Sequence, residues 1–122
     1  MTTDNAVLES VAPILEVRDL AEALEWYQTV LGFRVEWTWG EPPNRASLSR
    51  DRTEINVASA VGQPLRISQL YFETQRVDAL FARVSQAGGN IIAPLATRPY
   101  GMRDFRVDDP SGNQLSFGEP LD

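Results

Sequence analysis

The fold is best predicted from one segment, Pro99-Tyr-Gly-Met-Arg-Asp-Phe-Arg-Val-Asp-Asp-Pro-Ser-Gly-Asn-Gln-Leu-Ser-Phe117. At its centre, Asp109-Pro-Ser-Gly-Asn113 has the composition of a tight turn, because Pro fixes φ, Gly tolerates unusual backbone angles and the Asp carboxylate can close the turn. Apolar residues alternate with polar ones on both sides of this turn: Phe105 and Val107 precede it, and Leu115 and Phe117 follow it. The stretch therefore predicts a β-hairpin with one apolar face.

The same alternation of apolar and polar residues occurs about 57 residues before this hairpin. There, Ala46 to Arg50 and Glu54 to Ala58 flank the short turn Asp51-Arg52-Thr53. The chain is thus predicted to contain two copies of one unit.

The chain is predicted to form a single domain over residues 1–122, with repeats at about residues 11–59 and 67–119. A short segment, Ala60 to Arg66, is the candidate linker between them. Each repeat reads as strand, helix, strand, strand, strand. This order predicts an α+β domain in which paired βαβββ units each place one amphipathic helix on an apolar sheet face.

Each repeat contains one segment with helical spacing. In the first repeat, Asp19-Leu-Ala-Glu22 has the form of a capping box that opens a helix, and Gly32 is the expected stop. In the second repeat, Val77 to Val84 carries its apolar residues at helical spacing, and Gly88-Gly89 ends it.

Alternation marks the remaining strands. They are predicted over Val11 to Val17, Phe33 to Trp39, Ile67 to Phe72 and Asn90 to Ala93, and a loop from Pro94 to Pro99 follows the last of them. Pro13 indicates an edge strand or a strand that begins at that residue.

The same alternation assigns side chains to two faces of the sheets. The apolar face is predicted to contain Leu15, Val17, Phe33, Val35, Leu48, Ile55, Val57, Leu70, Phe72, Ile92, Phe105, Val107, Leu115 and Phe117. The opposite face would display Ala12, Ile14, Glu16, Glu36, Thr38, Ser47, Ser49, Glu54, Asn56, Gln69, Tyr71, Glu73, Met102, Asp104, Arg106, Gln114 and Ser116. From alternation alone, this second face is either solvent-exposed sheet or the wall of a wet pocket.

Composition excludes several kinds of chemistry. The chain has no Cys and no His, so it has no disulfide, thiolate nucleophile, imidazole base or imidazole ligand. Its formal net charge is −6 and it has no basic run, which argues against nucleic acid and anionic membranes as partners. The first residues resemble no signal peptide, and no apolar run is long enough to span a bilayer, so a cytoplasmic location is expected.

Several short motifs, taken in their order, resemble the vicinal oxygen chelate superfamily, which includes glyoxalase I, extradiol dioxygenases and bleomycin-resistance proteins. The motifs are Leu15-Glu-Val-Arg-Asp19, Trp26-Tyr27, Leu31-Gly-Phe33, Leu48-Ser-Arg-Asp51, Phe72-Glu73 with Val77-Asp78, Tyr100-Gly-Met-Arg-Asp-Phe105 and Asp109-Pro-Ser-Gly-Asn113. The resemblance implies paired βαβββ modules that form a curved mixed sheet with helices on its outer face. It does not fix the activity, because this fold carries unrelated functions.

In that superfamily, two units form a cup, and the enzymes hold a divalent metal there with His, Gln and Glu ligands. The resemblance puts Ala12, Asn56, Gln69 and Ser116 at or near the ligand positions. Ala cannot ligate, and hydroxyl or amide oxygens alone bind Zn²⁺, Fe²⁺ or Ni²⁺ poorly. The expectation is therefore no metal and no cofactor, with a hard cation on Glu16, Glu54 or Glu73 as the alternative.

The short chain and its hairpin motif are most similar to the bleomycin-resistance branch, whose members bind a drug in the crevices of a dimer without transforming it. The resemblance implies a metal-independent binding protein for a cationic or aromatic small molecule, without catalytic residues and assembled as a homodimer. The alternatives are a metal-dependent lyase, isomerase or dioxygenase of the same superfamily, and an interaction subunit without a ligand.

The candidate ligand-binding residues combine rings that can stack with carboxylates that attract positive charge. They are Trp37, Trp39, Glu54, Asn56, Tyr71, Tyr100, Met102 and Asp104. Alternation puts Trp37 and Trp39 in the apolar phase of their strand, where a core or dimer-interface role is the competing interpretation.

Overall fold

The computed structural model describes residues 4–122, in which the order strand, helix, strand, strand, strand occurs twice. The first repeat consists of β1 (Ile14–Val17), α1 (Leu20–Thr29), β2 (Arg34–Trp39), β3 (Arg45–Arg50) and β4 (Thr53–Ser59). The second consists of β5 (Gln69–Glu73), α2 (Val77–Gln86), β6 (Asn90–Thr97), β7 (Met102–Asp108) and β8 (Gln114–Pro120). The predicted α+β class and the paired βαβββ units are confirmed.

Each repeat forms its own four-stranded sheet, with the orders β1-β4-β3-β2 and β5-β8-β7-β6. In each sheet, the strand before the helix pairs in parallel with the last strand of the repeat, and the other pairs are antiparallel. Both sheets are therefore mixed, and the two have equivalent strand orders.

The helices cover the apolar face of each sheet. Asp19 caps α1 by accepting a hydrogen bond of 3.1 Å from the Glu22 amide, as the capping motif predicts. The side chains beneath the helices form one buried apolar cluster that includes residues of both repeats, among them Leu15, Val57 and Val107. No helix within residues 4–122 is both long enough and apolar enough to cross a membrane.

The turn Asp109 to Asn113 connects the two repeats as well as the strands of its hairpin. Asp109 accepts hydrogen bonds of 2.9 Å from the Ser111 and Asn113 amides, and its other carboxylate oxygen accepts one of 2.8 Å from the Tyr27 hydroxyl on α1. The Asn113 side-chain amide donates to the Glu16 carbonyl at 2.9 Å. A turn predicted for its local chemistry is thus also a buried polar contact between the two halves.

Several predicted strand boundaries are wrong by one or two residues, as at Ile67 to Phe72, which is observed as Gln69–Glu73, and two are wrong by more. The first strand begins at Ile14 rather than Val11, because the chain joins the sheet only after Pro13, which has no amide hydrogen to donate. The sixth strand runs through Pro94 to Thr97, where the sequence predicts a loop. β6 is an edge strand with register shifts around Pro94, so the missing donor is tolerated there.

The facial assignment of Ile92 is also wrong. The register pairs Ile91 with the buried Val107, so Ile91 lies in the apolar phase and Ile92 is exposed. Ile91 and Ile92 are adjacent apolar residues, so alternation alone does not decide which of them faces the core; the pairing of Ile91 with Val107 decides it.

A β-bulge in β2 reverses the phase predicted for Trp37 and Trp39. Val35 pairs with the buried Leu48, but the register shifts before Trp37, which pairs with Ser47. Since Ser47 and Leu48 point to opposite faces of β3, Trp37 and Trp39 lie on the face away from α1. The core interpretation of these two residues is therefore wrong for this chain.

Candidate functional site

The candidate site is built on the sheet faces that point away from the helices, here called the open faces. The first open face carries Glu36, Trp37, Trp39, Arg45, Ser47, Ser49, Glu54 and Asn56. The second carries Gln69, Tyr71, Met102, Asp104, Arg106, Gln114, Ser116 and Gly118. Each candidate ligand-binding strand residue lies on one of these two faces.

Asp104 is the centre of a polar cluster on the second open face. Its carboxylate accepts hydrogen bonds from the Tyr71 hydroxyl at 2.8 Å, the Tyr100 hydroxyl at 2.6 Å and the Arg98 guanidinium at 2.8 Å. Asp104 is only 4% exposed, whereas the rings of both tyrosines remain accessible. The buried carboxylate therefore fixes two aromatic rings in place on the open face.

Gly118 makes the contact between Tyr71 and Asp104 sterically possible. Tyr71 is on β5 and Asp104 is on β7, so the tyrosine ring has to cross the intervening strand β8. A Cβ atom on Gly118 would lie 1.9 Å from the Tyr71 hydroxyl oxygen and 2.6 Å from its Cζ. Only glycine leaves room for the ring at this position of β8.

The ionisation of the cluster follows from these contacts. Burial alone would raise the pKa of Asp104, but hydrogen bonds from Tyr100, Arg98 and Tyr71 outweigh it, so its pKa lies below the ordinary value. Desolvation and the hydrogen bond to Asp104 raise the pKa of Tyr71, and the bond to Asp104 raises the pKa of Tyr100. At neutral pH, the cluster therefore consists of two neutral phenols and a carboxylate compensated by the Arg98 guanidinium.

The first open face carries aromatic and acidic groups. Trp37 and Trp39 lie next to each other along its edge strand β2. Glu54 accepts a hydrogen bond of 2.8 Å from the buried Ser47 hydroxyl, and Asn56 is buried next to Ser47 in the register of β3 and β4. Glu36 is hydrogen-bonded by Ser49 and by Arg34, and both contacts lower its pKa. The Glu36 carboxylate therefore remains charged at neutral pH.

The structure brings together only part of the predicted site within one chain. Tyr71, Tyr100 and Asp104 are in direct contact, and Met102 is on the same strand as Asp104. Glu54 and Tyr71 border one shallow depression of about 250 Å³ between β4 and β5. Trp37 and Trp39 lie at the far edge of the other sheet and do not line this depression.

Sequence reasoning missed two residues of the Asp104 cluster. The sequence predicts a loop at Arg98, but Arg98 lies next to β6 and its side chain donates to Asp104. The role of Gly118 depends on an aromatic residue of a neighbouring strand, which alternation within β8 does not identify. A glycine inside an alternating strand indicates a close approach by another group, and that was the available clue.

The residues at the superfamily's metal positions do not fit a transition metal. Asn56 and Gln69 lie on different sheets, and the Gln69 side chain donates to Gln114 at 3.1 Å. Ser116 offers a hydroxyl, and Ala12 offers no donor atom. Within residues 4–122, acidic side chains do not gather in groups of three that could hold a metal ion. An amide and hydroxyl set of this kind is a poor ligand for Zn²⁺ or Fe²⁺.

Comparisons with known proteins agree on the fold. A sequence model of the Glyoxalase/Bleomycin resistance protein/Dioxygenase superfamily matches residues 8–117. The chain is similar to TioX from Micromonospora sp. ML1, with 25% identity, a TM-score of 0.79 and coverage of 92% of this chain and 100% of that chain. A search of curated proteins finds no significant match.

Two further structures show likeness of fold alone. One is a glyoxalase/bleomycin resistance protein/dioxygenase from Nocardioides, with 18% identity, a TM-score of 0.75 and coverage of 98% of this chain and 88% of that one. The other is lactoylglutathione lyase from Agrobacterium tumefaciens, with 17% identity, a TM-score of 0.74 and coverage of 92% and 94%.

Proposed function

Because this chain belongs to the Glyoxalase/Bleomycin resistance protein/Dioxygenase superfamily, we propose that it binds an aromatic, positively charged small molecule without a metal and without transforming it. The ligand lies between the open faces of two chains of a cytoplasmic homodimer. It is held by stacking on aromatic rings and by the negative potential of nearby carboxylates.

The exposure of the aromatic side chains is the observation that carries this proposal. Trp37, Trp39, Tyr71 and Tyr100 are 44%, 68%, 51% and 64% exposed, and all four belong to the candidate site. Exposing large aromatic rings to water is unfavourable in free energy, and a flat aromatic ligand that stacks on them would remove this apolar surface from water. Tyr71 and Tyr100 are also held by Asp104, which reduces the entropy lost on binding.

The charges on the open faces favour a cation. Asp104 is compensated by Arg98, so its role is to position the tyrosines. On the first open face Glu36 is paired with Arg34, and Glu54, which has no arginine partner among the described residues, provides the main negative potential. A cation above an aromatic ring next to such carboxylates gains both Coulomb and cation–π attraction. The donor set at the metal positions supports a binding protein over a metal-dependent enzyme.

The separation of the aromatic groups supports a homodimer. The tryptophans are on one sheet and the tyrosines on the other, at positions that do not share a cavity in the single chain. A second copy would bring one chain's tryptophans opposite the other's tyrosines and would cover both surfaces. Sedimentation should give twice the 13.6 kDa mass at micromolar concentration, and a monomer would contradict the two-chain site.

Ligand binding can be tested with bleomycin and with proflavine as a planar cationic probe. Binding to the native state at a free concentration of 100 times Kd should stabilise the protein by about 2.7 kcal/mol, which a melting curve resolves. Mg²⁺, Mn²⁺, Zn²⁺ and Ni²⁺ should leave the melting temperature unchanged. Stabilisation by a metal alone would contradict metal independence.

Tryptophan substitutions provide a matched control for the location of the ligand. Replacing Trp37 and Trp39 by Phe should abolish fluorescence quenching by proflavine and weaken its binding by at least about tenfold. Trp26 packs edge-on against Tyr27 on α1 at 4.9 Å, remote from the open faces, so Trp26→Phe should bind normally. Equal losses in the two variants would contradict a ligand on the open face.

A further inference from the structure

A second cavity lies between the two repeats on the side of the helices, and the proposed function does not use it. This cleft has a volume of about 450 Å³, within the range of small-molecule sites. Its rim is formed by the β3–β4 turn and by the segment that joins β5 to α2. Leu31, Phe33 and Phe117 supply an apolar wall.

Arginines are concentrated in this cleft although the protein as a whole is acidic. Its lining contains Arg50, Arg52, Arg76 and Arg83, against the two carboxylates Asp51 and Glu73. All eleven basic residues of the chain are arginines. A local excess of positive charge in a chain of net charge −6 is a feature that composition alone does not show.

Two of these arginines are held in place by neutral backbone carbonyl groups, which do not cancel the positive charge of the side chains. Arg83 donates to the Val30 carbonyl at 3.1 Å, and Arg50 donates to the Leu31 carbonyl at 2.9 Å. Carbonyl groups at the end of a helix carry only partial negative charge. Arg50 also lies 3.4 Å from the exposed Asp51 carboxylate, a pair that solvent screens.

The other two arginines have no partner among the described residues. Neither the Arg52 nor the Arg76 side chain takes part in a hydrogen bond or ion pair within residues 4–122, and both are exposed. Most arginines outside the cleft have acceptors, such as Arg98 with Asp104, Arg103 with Asp78 and Arg106 with Asp108. Among the described residues, two guanidinium groups without a hydrogen-bond or ion-pair partner therefore line one cavity.

The start of α2 also lies at the cleft, but it is not what would bind an anion. The Val77 amide already donates to the Glu119 carboxylate at 3.2 Å, and the Ala79 amide donates to the Arg76 carbonyl at 3.0 Å. The guanidinium groups are the available donors.

From this geometry we infer that the cleft between the repeats is a binding site for an organic anion, with a carboxylate or phosphate group on a compact apolar body. The anionic group is bound by Arg52 and Arg76 at the rim, and the apolar body packs against Phe33, Phe72 and Phe117. This site lies on the helix side of the sheets and shares Arg52 with the depression that Glu54 and Tyr71 border. Its charge preference is opposite to that of the proposed ligand.

The test uses 2-naphthoate and 2-naphthyl phosphate as probes, with neutral 2-naphthamide as the matched compound. Calorimetry with the full chain should show that an anionic probe binds at least about tenfold more tightly than the neutral amide. The affinity for the anion should fall as salt is added. The better of the two anions identifies the preferred head group. Equal affinity for 2-naphthamide would overturn the inference.

Single arginine substitutions locate the site. Arg76→Gln should weaken the binding of the preferred anion by about tenfold. Arg66→Gln removes the same charge from an exposed arginine outside the cleft and should leave binding unchanged. Arg76 is the decisive position, because Arg52 also borders the depression with Glu54 and Tyr71. Equal losses in the two variants would overturn the inference, since they would reflect net charge alone.

Amide chemical shifts give an independent readout. Addition of the preferred anion should shift the amides of residues 50–53 and 73–76 and leave those of Trp37 and Trp39 unchanged. Shifts confined to the open faces would assign the anion to the other site and overturn the inference, whatever the outcome for cationic ligands.

Discussion

Replacing Gly118 by Ala tests whether the approach of Tyr71 across β8 holds the second open face together. The backbone at this position accepts alanine, because its φ lies outside the left-handed region. The new Cβ would lie 1.9 Å from the Tyr71 hydroxyl oxygen, so the ring must move away and its hydrogen bond to Asp104 must break. The Tyr71 ring is half-exposed and can move into solvent.

The expected magnitude comes from that one hydrogen bond. A bond to a charged acceptor contributes about 1.5–3 kcal/mol, and the lower end applies because Tyr100 and Arg98 still bind Asp104. Alanine itself is better than glycine in a strand by about 0.5–1 kcal/mol. Gly118→Ala should therefore lower the free energy of unfolding by about 0.5–1 kcal/mol, with a coupling to Tyr71 of about 1.5 kcal/mol.

A double-mutant cycle measures this coupling by urea unfolding, followed by tryptophan fluorescence at one protein concentration. In a Tyr71→Ala background, Gly118→Ala should no longer destabilise and should raise stability slightly. In a Tyr100→Phe background it should cost at least as much as in the wild type, because Asp104 has then already lost one of its donors and depends more on Tyr71. An equal cost in the Tyr71→Ala and wild-type backgrounds would show that alanine at position 118 does not act through Tyr71.

Three further predictions follow from individual contacts. Tyr27→Phe leaves the buried Asp109 carboxylate one donor short and should lower the free energy of unfolding by about 1.5–3 kcal/mol in urea; a loss under about 0.5 kcal/mol would contradict this. Folding lowers the pKa of Asp104, so its carboxylate stabilises the folded protein above the unfolded pKa of about 3.9, and this stabilisation is lost as the pH falls through the folded value. Asp104→Asn should therefore flatten the decline of melting temperature in acid. Arg76 has a φ of 55°, which glycine adopts without strain, so Arg76→Gly should raise the free energy of unfolding by up to about 1 kcal/mol while weakening the binding of the anion. A destabilised variant would show that the Arg76 side chain supports the fold.

The parts of the fold that were predictable have local causes. The Asp19 cap lies within a few residues of the backbone group that it binds, and the Asp109 to Asn113 turn is closed by its own side chain. The helix bounds and the hairpin follow from such contacts together with apolar periodicity. Neighbouring residues alone are enough to specify them.

The errors arose where a strand partner decides the outcome. The bulge after Val35 depends on how β2 aligns with β3, and this alignment puts Trp37 on the open face. The continuation of β6 through Pro94 depends on its place at the edge of a sheet. Alternation in one strand contains neither piece of information.

The cleft was unpredictable for a related reason. Arg52 and Arg76 belong to different repeats, and only the packing of one repeat on the other brings them to the same cavity. The Tyr71, Tyr100 and Asp104 group was partly predictable, because alternation placed Tyr71 and Asp104 on one face. Their direct contact required Gly118, whose role appears only when three strands are in register.

The contacts of the Asp109 to Asn113 turn also constrain the order of folding. Arg18, Tyr27 and Glu16 form hydrogen bonds to this turn across 93, 82 and 97 residues of chain. Closing such long loops is entropically costly and slows folding. As the chain leaves the ribosome, the first repeat emerges well before the hairpin that supplies its buried polar partners. The first half of the protein therefore completes its own structure only after the hairpin at 102–120 has been synthesised.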